Sequence, residues 1–268
     1  MKTRCISVAK PEPDTINEDA VMARSTVIAV ADGAGGGGIF AERWSRYLLD
    51  NLPIEPFVSL EEMDSWVDGI WELFYNESEM LAKAMGDGMI LSKFYDEGSF
   101  STLVAIWHIN GNLRWVSYGD SVAFCYHKKS RELQYSIPHL ASFNEAPYLI
   151  NFKDPLRTGG FACGTFEEAV DSIYFVASDA LAHYILMMYM VSRKDDYSHE
   201  LAASLEAHSK NSQFVKTAMS MGKIDFWKTL SKLLRCLSNK ANLNRHLARL
   251  RKNNLLAIDD CSLAVMRT

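Results

Sequence analysis

The sequence predicts a single domain of mixed α and β structure, in which short apolar strands are followed by amphipathic helices. Residues 27–31 are small and β-branched apolar residues, as in a buried strand, and apolar residues at helical spacing follow soon after. Further along the chain, the pair Asn110-Gly111 separates two apolar runs, which is a strong signal for a β-hairpin. No internal repeat or linker divides the 268 residues, so we expect one domain over 1–268.

The composition is that of an ordinary globular protein, and it argues against two kinds of partner. The 28 basic and 33 acidic residues give a formal net charge of −5, without the basic stripe that nucleic-acid binding needs. No apolar segment is long enough to span a membrane, and the amino terminus lacks the apolar run of a signal peptide. Five scattered cysteines without CxxC spacing predict a reducing compartment. We therefore expect a cytoplasmic protein that binds neither nucleic acid nor membrane.

The amino-terminal half predicts strands first and helices after them. Strands are expected at 6–9, 20–22 and 27–31, helices at 39–52 and 60–85, and loops at 10–14 and 86–98. The first helix is indicated by Phe40, Trp44 and Leu48, which recur at helical spacing. The aromatic stripe of the second helix favours a face packed on the core over a cofactor site.

The carboxy-terminal half predicts further strands and then an extended helical segment. Strands are expected at 99–109, 113–118, 122–126 and 172–177 and from about 261 onward, with hairpins and a loop over the site within 131–164. A helix at 180–191 begins the helical segment, which occupies about 182–254. Its basic run at 240–252 fits a solvated helix face better than a dock for phosphoproteins.

Acidic residues recur at the ends of the predicted strands or in the turns beside them. The set comprises Glu18, Asp19, Asp32, Asp120, Asp179, Asp259 and Asp260. Clustered carboxylates repel one another unless a cation offsets their charge. Carboxylate oxygens without His or Cys suit Mg²⁺ or Mn²⁺ rather than zinc. We therefore expect a divalent cation site where these strands end.

The turn after Asp32 contains five glycines within six residues and admits more than one interpretation. It could cradle a phosphate at a helix N-terminus, but no Gly-Lys-Ser/Thr follows, which disfavours a P-loop. It could instead hold a metal through the Asp32 carboxylate and the Gly33 carbonyl, or be a surface turn with a solvated Asp. The metal site is favoured over the phosphate cradle, and the surface turn stays open from this stretch alone.

Six short motifs then occur in a recognisable order. They are NEDA, VADGAGG, GSFSTLVA, GDS, ASDAL and DDCSLAV, and they extend over nearly the whole chain. In this order they resemble the motifs of the protein phosphatase 2C-like, metal-dependent Ser/Thr phosphatases, in a divergent bacterial form. The resemblance implies an α+β fold, a four-layer α/β/β/α sandwich of two packed antiparallel sheets flanked by helices, with a binuclear metal site at one end.

The resemblance also implies an activity and a set of catalytic residues. Asp32 would bridge two divalent cations, Mg²⁺ or Mn²⁺, and Gly33 would give its carbonyl oxygen to one of them. Asp179 and Asp259 would complete the coordination of the other cation. A hydroxide that bridges the cations would then hydrolyse a phosphomonoester, with a phosphorylated protein as the substrate. On this basis Asp32, Asp179 and Asp259 are the expected catalytic residues.

Three further acidic residues have implied roles at the same centre. Glu18 and Asp19 would hold metal-bound waters, and Asp120 corresponds to the acid at an optional third cation. Adjacent residues of a strand point to opposite faces, so only one of Glu18 and Asp19 can point straight at the site.

The sequence departs from the family pattern most clearly at the phosphate clamp. Four residues before Glu18, where the family usually has an Arg that binds the substrate phosphate, this chain has Asp14. Ala180, Val122 and Ser262 also replace the usual Gly, Arg and Thr of their motifs. Because a bidentate Arg contributes both binding and charge, a catalytically weak or inactive regulatory module is the alternative function.

Four other residues are candidates for a role toward the substrate. Lys10, or Arg4 from the same edge, could supply the missing positive charge, and Arg157 could bring a basic side chain from a glycine-containing loop. His139 could act as a general acid toward the leaving group, although a lone His is more often structural.

Overall fold

The computed structural model describes residues 1–36 and 38–267. The strands of this part of the chain are β1 (Lys2–Val8), β2 (Ala20–Ala23), β3 (Val27–Ala31), β4 (Phe100–Ser101), β5 (Leu103–Ile109), β6 (Asn112–Tyr118), β7 (Val122–His127), β8 (Glu132–Tyr135), β9 (Ile150–Asn151), β10 (Phe161–Glu167), β11 (Ser172–Ala177) and β12 (Cys261–Arg267). The helices are α1 (Ala41–Asp50), α2 (Leu60–Ala84), α3 (Gly88–Asp96), α4 (Asp179–Ser192), α5 (Ser198–Glu206), α6 (Lys210–Ser220), α7 (Phe226–Cys236) and α8 (Lys240–Lys252).

Two five-stranded antiparallel sheets form the centre of the molecule. The first sheet has the strand order β1-β12-β11-β7-β8, and the second has the order β10-β6-β5-β3-β2. The strands β4 and β9 form a separate short pair. The hairpin predicted at Asn110-Gly111 is present and joins β5 to β6, with both turn residues at positive φ as a tight two-residue turn requires.

Side chains of the central strands alternate between two apolar layers. Ile28 and Val30 of β3 pack between the two sheets, together with Val176 of β11. The neighbouring Ala29 and Ala31 point the other way, into the core beneath α1, α2 and α3. Since successive residues of a strand point to opposite faces, a strand buried on both faces reads as a continuous apolar run. The four-layer α/β/β/α prediction is confirmed.

The helix α4 is the most deeply buried helix described in the chain. Twelve of its fourteen residues are buried, and they belong to the core that also contains Leu201 of α5, Leu230 of α7 and Leu247 of α8. The outer helices of the carboxy-terminal segment therefore cover α4 rather than the sheet alone. No helix in the described ranges has the length and apolar character needed to cross a membrane.

Two sequence-based boundaries were wrong for reasons of tertiary structure. The predicted loop at 86–98 contains α3, which Asp87 caps by accepting from the backbone N–H of Met89 at 2.8 Å, and whose Phe94 is fully buried. The first strand begins at Lys2 rather than Ile6, because β1 pairs with β12 over its whole length.

Candidate active site

A cavity of about 300 Å³ opens where β3 and β11 end and β7 begins. Most of the predicted site residues line it: Lys10, Glu18, Asp32, Gly33, Asp120, Asp179 and Asp259. Pro147 and Leu149 also line it, so part of the region 131–164 reaches the site as expected. These residues come from separate regions of the chain, and only the fold brings them together.

The backbone of Asp32 is fixed by hydrogen bonds from the segment that joins β4 to β5. Its carbonyl oxygen accepts hydrogen bonds from the Thr102 N–H at 2.8 Å and from the Ser101 hydroxyl at 3.0 Å. The Thr102 hydroxyl in turn pairs with that of Ser121 at 2.8 Å. The motif GSFSTLVA therefore serves to hold Asp32 in place, a role that its sequence did not indicate.

Gly33 lies where no side chain fits. A Cβ atom at this position would come within 2.5 Å of the Glu18 carbonyl oxygen and 2.8 Å of the Ala41 carbonyl oxygen. Both contacts are with backbone atoms, so the glycine allows three chain segments to approach closely. The surface-turn interpretation is thus wrong for this part of the turn.

Asp179 and Asp259 are held by neighbouring chain segments. Asp179 is the first residue of α4, directly after β11. The adjacent Ser178 receives a hydrogen bond on its hydroxyl from the Ser262 N–H at 2.9 Å, which joins β11 to β12 beside the site. The Asp259 carbonyl oxygen accepts from Arg251 Nη2 at 2.6 Å, so the end of α8 positions the loop that carries Asp259.

Asp260 has a structural role that the sequence left unassigned. Its two carboxylate oxygens accept the backbone N–H groups of Lys10 and Glu18, each at 2.7 Å. This places the Lys10 ammonium at the cavity, where its Nζ lies 3.5 Å from Glu18 Oε2. Only the adjacency of two Asp residues before the last strand marked this residue in the sequence.

Asp19 is buried close to Asp32 and Asp260, whose charges interact with its own. It does not line the cavity and is only 3% exposed, and neither of its carboxylate oxygens has a hydrogen-bond partner among the described residues. Burial, followed by the charge of Asp260, raises the pKa of Asp19 to about 7. An unpartnered buried carboxylate is costly, so this group calls for a cation or an ordered water.

The other carboxyl groups also hold their protons more tightly than usual. Burial, and then the charges of Asp19 and Asp179, raise the pKa of Asp32 well above its ordinary value. The pKa of Asp179 is likewise raised, by burial and then by Asp120 and Asp259, and burial raises the pKa of Asp120 to about 6. Buried carboxylates that repel one another at this density favour a positive ion among them.

The donor atoms at the cavity are of the types that bind a divalent cation, but their side chains are too far apart to form a complete coordination shell. The set offers carboxylate oxygens and the Gly33 carbonyl oxygen, which are the ligands that Mg²⁺ and Mn²⁺ take. Among the residues described, no three His, Cys, Asp or Glu side chains converge closely enough to be a ready-made metal-binding group. A cation bound here would therefore draw the carboxylates together or take part of its coordination from water.

The structure does not bring Arg157 and His139 to the cavity. The backbone N–H of Arg157 donates to the Tyr118 hydroxyl at 2.9 Å, and neither Arg157 nor His139 is among the lining residues. His139 is well exposed, and its Nδ1 lies 2.8 Å from Glu200 Oε1 of α5. Arg4 lines a different groove, together with Lys2 and Arg267. Of the basic residues considered from sequence, Lys10 alone lines the cavity as described.

Solved structures of bacterial phosphatases share this architecture. The catalytic domain of the Ser/Thr protein phosphatase PstP in complex with two manganese ions has a TM-score of 0.55 and 16% identity, over 98% of this chain and 96% of that one. PstP from Mycobacterium tuberculosis has a TM-score of 0.54 and 15% sequence identity, over 98% of this chain and 97% of that one. Stp1 from Staphylococcus aureus has a TM-score of 0.52 and 13% sequence identity, over 100% of this chain and 94% of that one.

The fold is therefore that of the bacterial protein phosphatase 2C-type Ser/Thr phosphatases, over nearly the whole length of both chains. No family model matches the sequence, and no curated protein matches it. The resemblance predicted from the six motifs is thus confirmed by the fold.

Proposed function

We propose that this protein is a divalent-metal-dependent phosphatase that removes phosphate from phosphoserine and phosphothreonine in proteins. The observation that carries the proposal is the meeting of Asp32, Asp179 and Asp259 at one cavity that Lys10 also lines. The fold supports it, since the similar structures are named as Ser/Thr phosphatases.

Two divalent cations, with a third as an option, are the proposed cofactors. Asp32, Gly33, Asp179 and Asp259 would hold the two, and the manganese ions named with the PstP structure support this choice. When bound, the cations lower the pKa of water to supply the nucleophile and offset the charge on the phosphoryl oxygens. Glu18 and Asp19 would accept hydrogen bonds from the waters of the site, and Asp120 would serve the optional third cation.

Lys10 takes the place of the missing phosphate-binding Arg in this proposal. Burial alone would lower the pKa of its ammonium, but the charges of Glu18, Asp260 and Asp259 raise it, so Lys10 carries a positive charge at neutral pH. A Lys provides a point charge rather than a planar bidentate fork. We therefore expect a weaker and less directional grip on the phosphate than an Arg would give.

A regulatory module that binds without hydrolysis is the second candidate. It is favoured by one observation, the ion pair of 3.5 Å between Lys10 and Glu18, which occupies the only cation among the residues described as lining the cavity. A substrate phosphate must compete with Glu18 for this ammonium group. If it cannot, the cavity would retain metal without turning over substrate.

The deciding experiment measures hydrolysis of an aryl phosphate and of a phosphothreonine peptide, with Mn²⁺, Mg²⁺ or EDTA. We expect metal-dependent turnover that Asp32→Asn abolishes and that Asp68→Asn, an exposed acid on α2 outside the cavity, leaves unchanged. Binding of Mn²⁺ by calorimetry without turnover would favour the regulatory module. Neither binding nor turnover would refute the assignment of the site.

A further inference from the structure

A second cavity adjoins the proposed active site and shares Asp259 with it. Its volume is about 740 Å³, within the range of ligand-binding pockets. The 3₁₀ helix Leu140–Asn144 contributes Phe143 and Asn144, α6 contributes Lys210 and Gln213, and the loop before β12 contributes Ile258. We call this cavity the α6 groove. It gives the helical segment, whose purpose the sequence did not indicate, a surface beside the site.

The two cavities are neighbours along a second stretch of chain. Asn144 lines the α6 groove, and Pro147, three residues later, lines the active-site cavity. Three residues of fully extended chain span about 11 Å at most. A polypeptide with its phosphorylated residue in the active site would therefore reach the groove within a few residues.

The polar groups of the α6 groove are suited to a peptide with negative charge. Lys210 is exposed and has no ion-pair partner among the described residues, and it is the first residue of the eleven-residue helix α6. The N-terminus of a helix adds partial positive charge at the same place. The Asn144 side chain contributes an amide nitrogen, Nδ2, that is buried without a hydrogen-bond partner in the described part of the chain.

The groove also has an apolar side next to Asp259. Ile258 is 63% exposed although it is a large apolar residue, and Phe214 and Leu256 lie along the same groove. Arg251 fixes the backbone on this side by donating hydrogen bonds to the carbonyl oxygens of Ala257 and Asp259, at 3.2 and 2.6 Å. An apolar side chain of a bound peptide would cover Ile258.

We propose that the α6 groove binds the segment of a phosphoprotein substrate that flanks the phosphorylated residue. An acidic residue of this segment would lie against Lys210, and an apolar residue would pack on Ile258. The inference rests on the proposed phosphatase function, because it places the phosphorylated residue of the same substrate in the adjoining cavity. The groove thereby selects acidic phosphopeptides although the protein itself is net negative.

The test compares Lys210→Ala with Lys216→Ala, an exposed lysine of the same helix that does not line the groove. Substrates are an aryl phosphate and phosphothreonine peptides with either Glu or Gln on each side of the phosphoresidue. We expect wild type and Lys216→Ala to prefer the Glu peptide. Lys210→Ala should raise KM for that peptide about threefold to fivefold, as loss of an exposed ion pair predicts, while kcat and aryl phosphate hydrolysis stay unchanged.

Failure of the groove and failure of the phosphatase function give different results. If aryl phosphate is hydrolysed but both lysine variants behave alike, or if wild type shows no preference for Glu, the groove assignment is wrong. If Lys210→Ala lost activity equally toward aryl phosphate and toward the Glu peptide, the groove assignment would also be wrong. If nothing is hydrolysed, fluorescence anisotropy of a labelled Glu phosphopeptide decides. Binding lost only in Lys210→Ala would support the groove without the activity, and no binding would refute both.

Discussion

The carboxylate of Asp260 accepts a hydrogen bond from the backbone N–H of Glu18 at 2.7 Å, across 242 positions of sequence. Its second oxygen accepts the N–H of Lys10 at the same distance. One buried side chain thus fixes both ends of the loop 10–18 against the start of β12. The position of Lys10 at the cavity depends on this contact rather than on local sequence.

Replacing Asp260 by Ala should therefore destabilise the fold and displace Lys10. Because two backbone donors lose a charged acceptor, we expect the free energy of unfolding to fall by about 2–3 kcal/mol. Asp260→Asn retains one acceptor oxygen, so its free energy of unfolding should fall by less than that of Asp260→Ala. Urea denaturation with both variants measures the difference, and an unchanged midpoint for Asp260→Ala would show that the clamp is not important for stability.

Replacing Asp32 by Asn should stabilise the metal-free protein at neutral pH. The pKa of Asp32 is raised in the fold, so the folded state binds the proton more tightly, and stability is lost as pH rises above the ordinary Asp range. Asn carries no charge and removes this loss. In EDTA at pH 7.5 we expect a melting temperature higher by about 3 °C or more, which corresponds to roughly 1 kcal/mol.

The same comparison at lower pH provides the control. Because protonation of Asp32 removes the repulsion, the gain from Asp32→Asn should become smaller as the pH is lowered toward 4. Comparing variants at each pH also cancels the opposite slope from His183, whose pKa burial lowers to about 4. A gain that is equal at pH 4 and pH 7.5, or a gain matched by Asp68→Asn, would contradict the role of charge repulsion.

Replacing Lys10 by Ala should weaken substrate binding without unfolding the loop. The clamp to Asp260 uses the backbone N–H of Lys10, which the substitution leaves in place. Loss of a charged contact to phosphate predicts a decrease in kcat/KM of about tenfold. Lys10→Arg should retain activity, and Arg4→Ala, at the other groove, should not change it. Equal activity of Lys10→Ala and wild type would show that Lys10 does not bind the substrate phosphate.

Replacing Gly33 by Ala tests the close approach of backbone at the site. The added Cβ would press on the carbonyl oxygens of Glu18 and Ala41, so we expect a loss of about 1–3 kcal/mol in stability and weaker Mn²⁺ binding. Gly36→Ala in the same turn is the matched control, since its Cβ would meet no atom within 4 Å. Thermal unfolding and calorimetry with Mn²⁺ measure both effects, and equal behaviour of the two variants would refute the steric explanation.

The sequence predicted the central strands well, and it predicted that acidic residues lie at strand ends, because both features depend on local pattern. β11 was predicted with its observed ends, 172–177, since six successive buried residues are followed directly by Ser178-Asp179 and a helix. The carboxylates of Asp32, Asp120 and Asp179 follow strand ends, and strands of packed sheets bring their ends together. Each of these inferences required only periodicity and the position of an Asp relative to a strand.

What the sequence missed depends on contacts between distant residues. The helix α3 is stabilised by Phe94, which packs on Phe152 and Tyr75. Neither contact can be inferred from the sequence of residues 86–98 alone. His139 was considered for the site as a general acid, but Glu200 of α5 pairs with it. Glu200 belongs to the helical segment, whose packing no sequence pattern revealed.

The burial of α4 makes the outer helices part of the same core as the strand and helix that carry Asp179. α4 begins with Asp179 of the cavity, yet its outward side is covered by the helices of residues 198–252. Deleting those helices to obtain a smaller catalyst would leave Met187, Met190 and their apolar neighbours bare, and the remnant would aggregate. The outer helices therefore stabilise α4, and through it the position of Asp179 at the cavity.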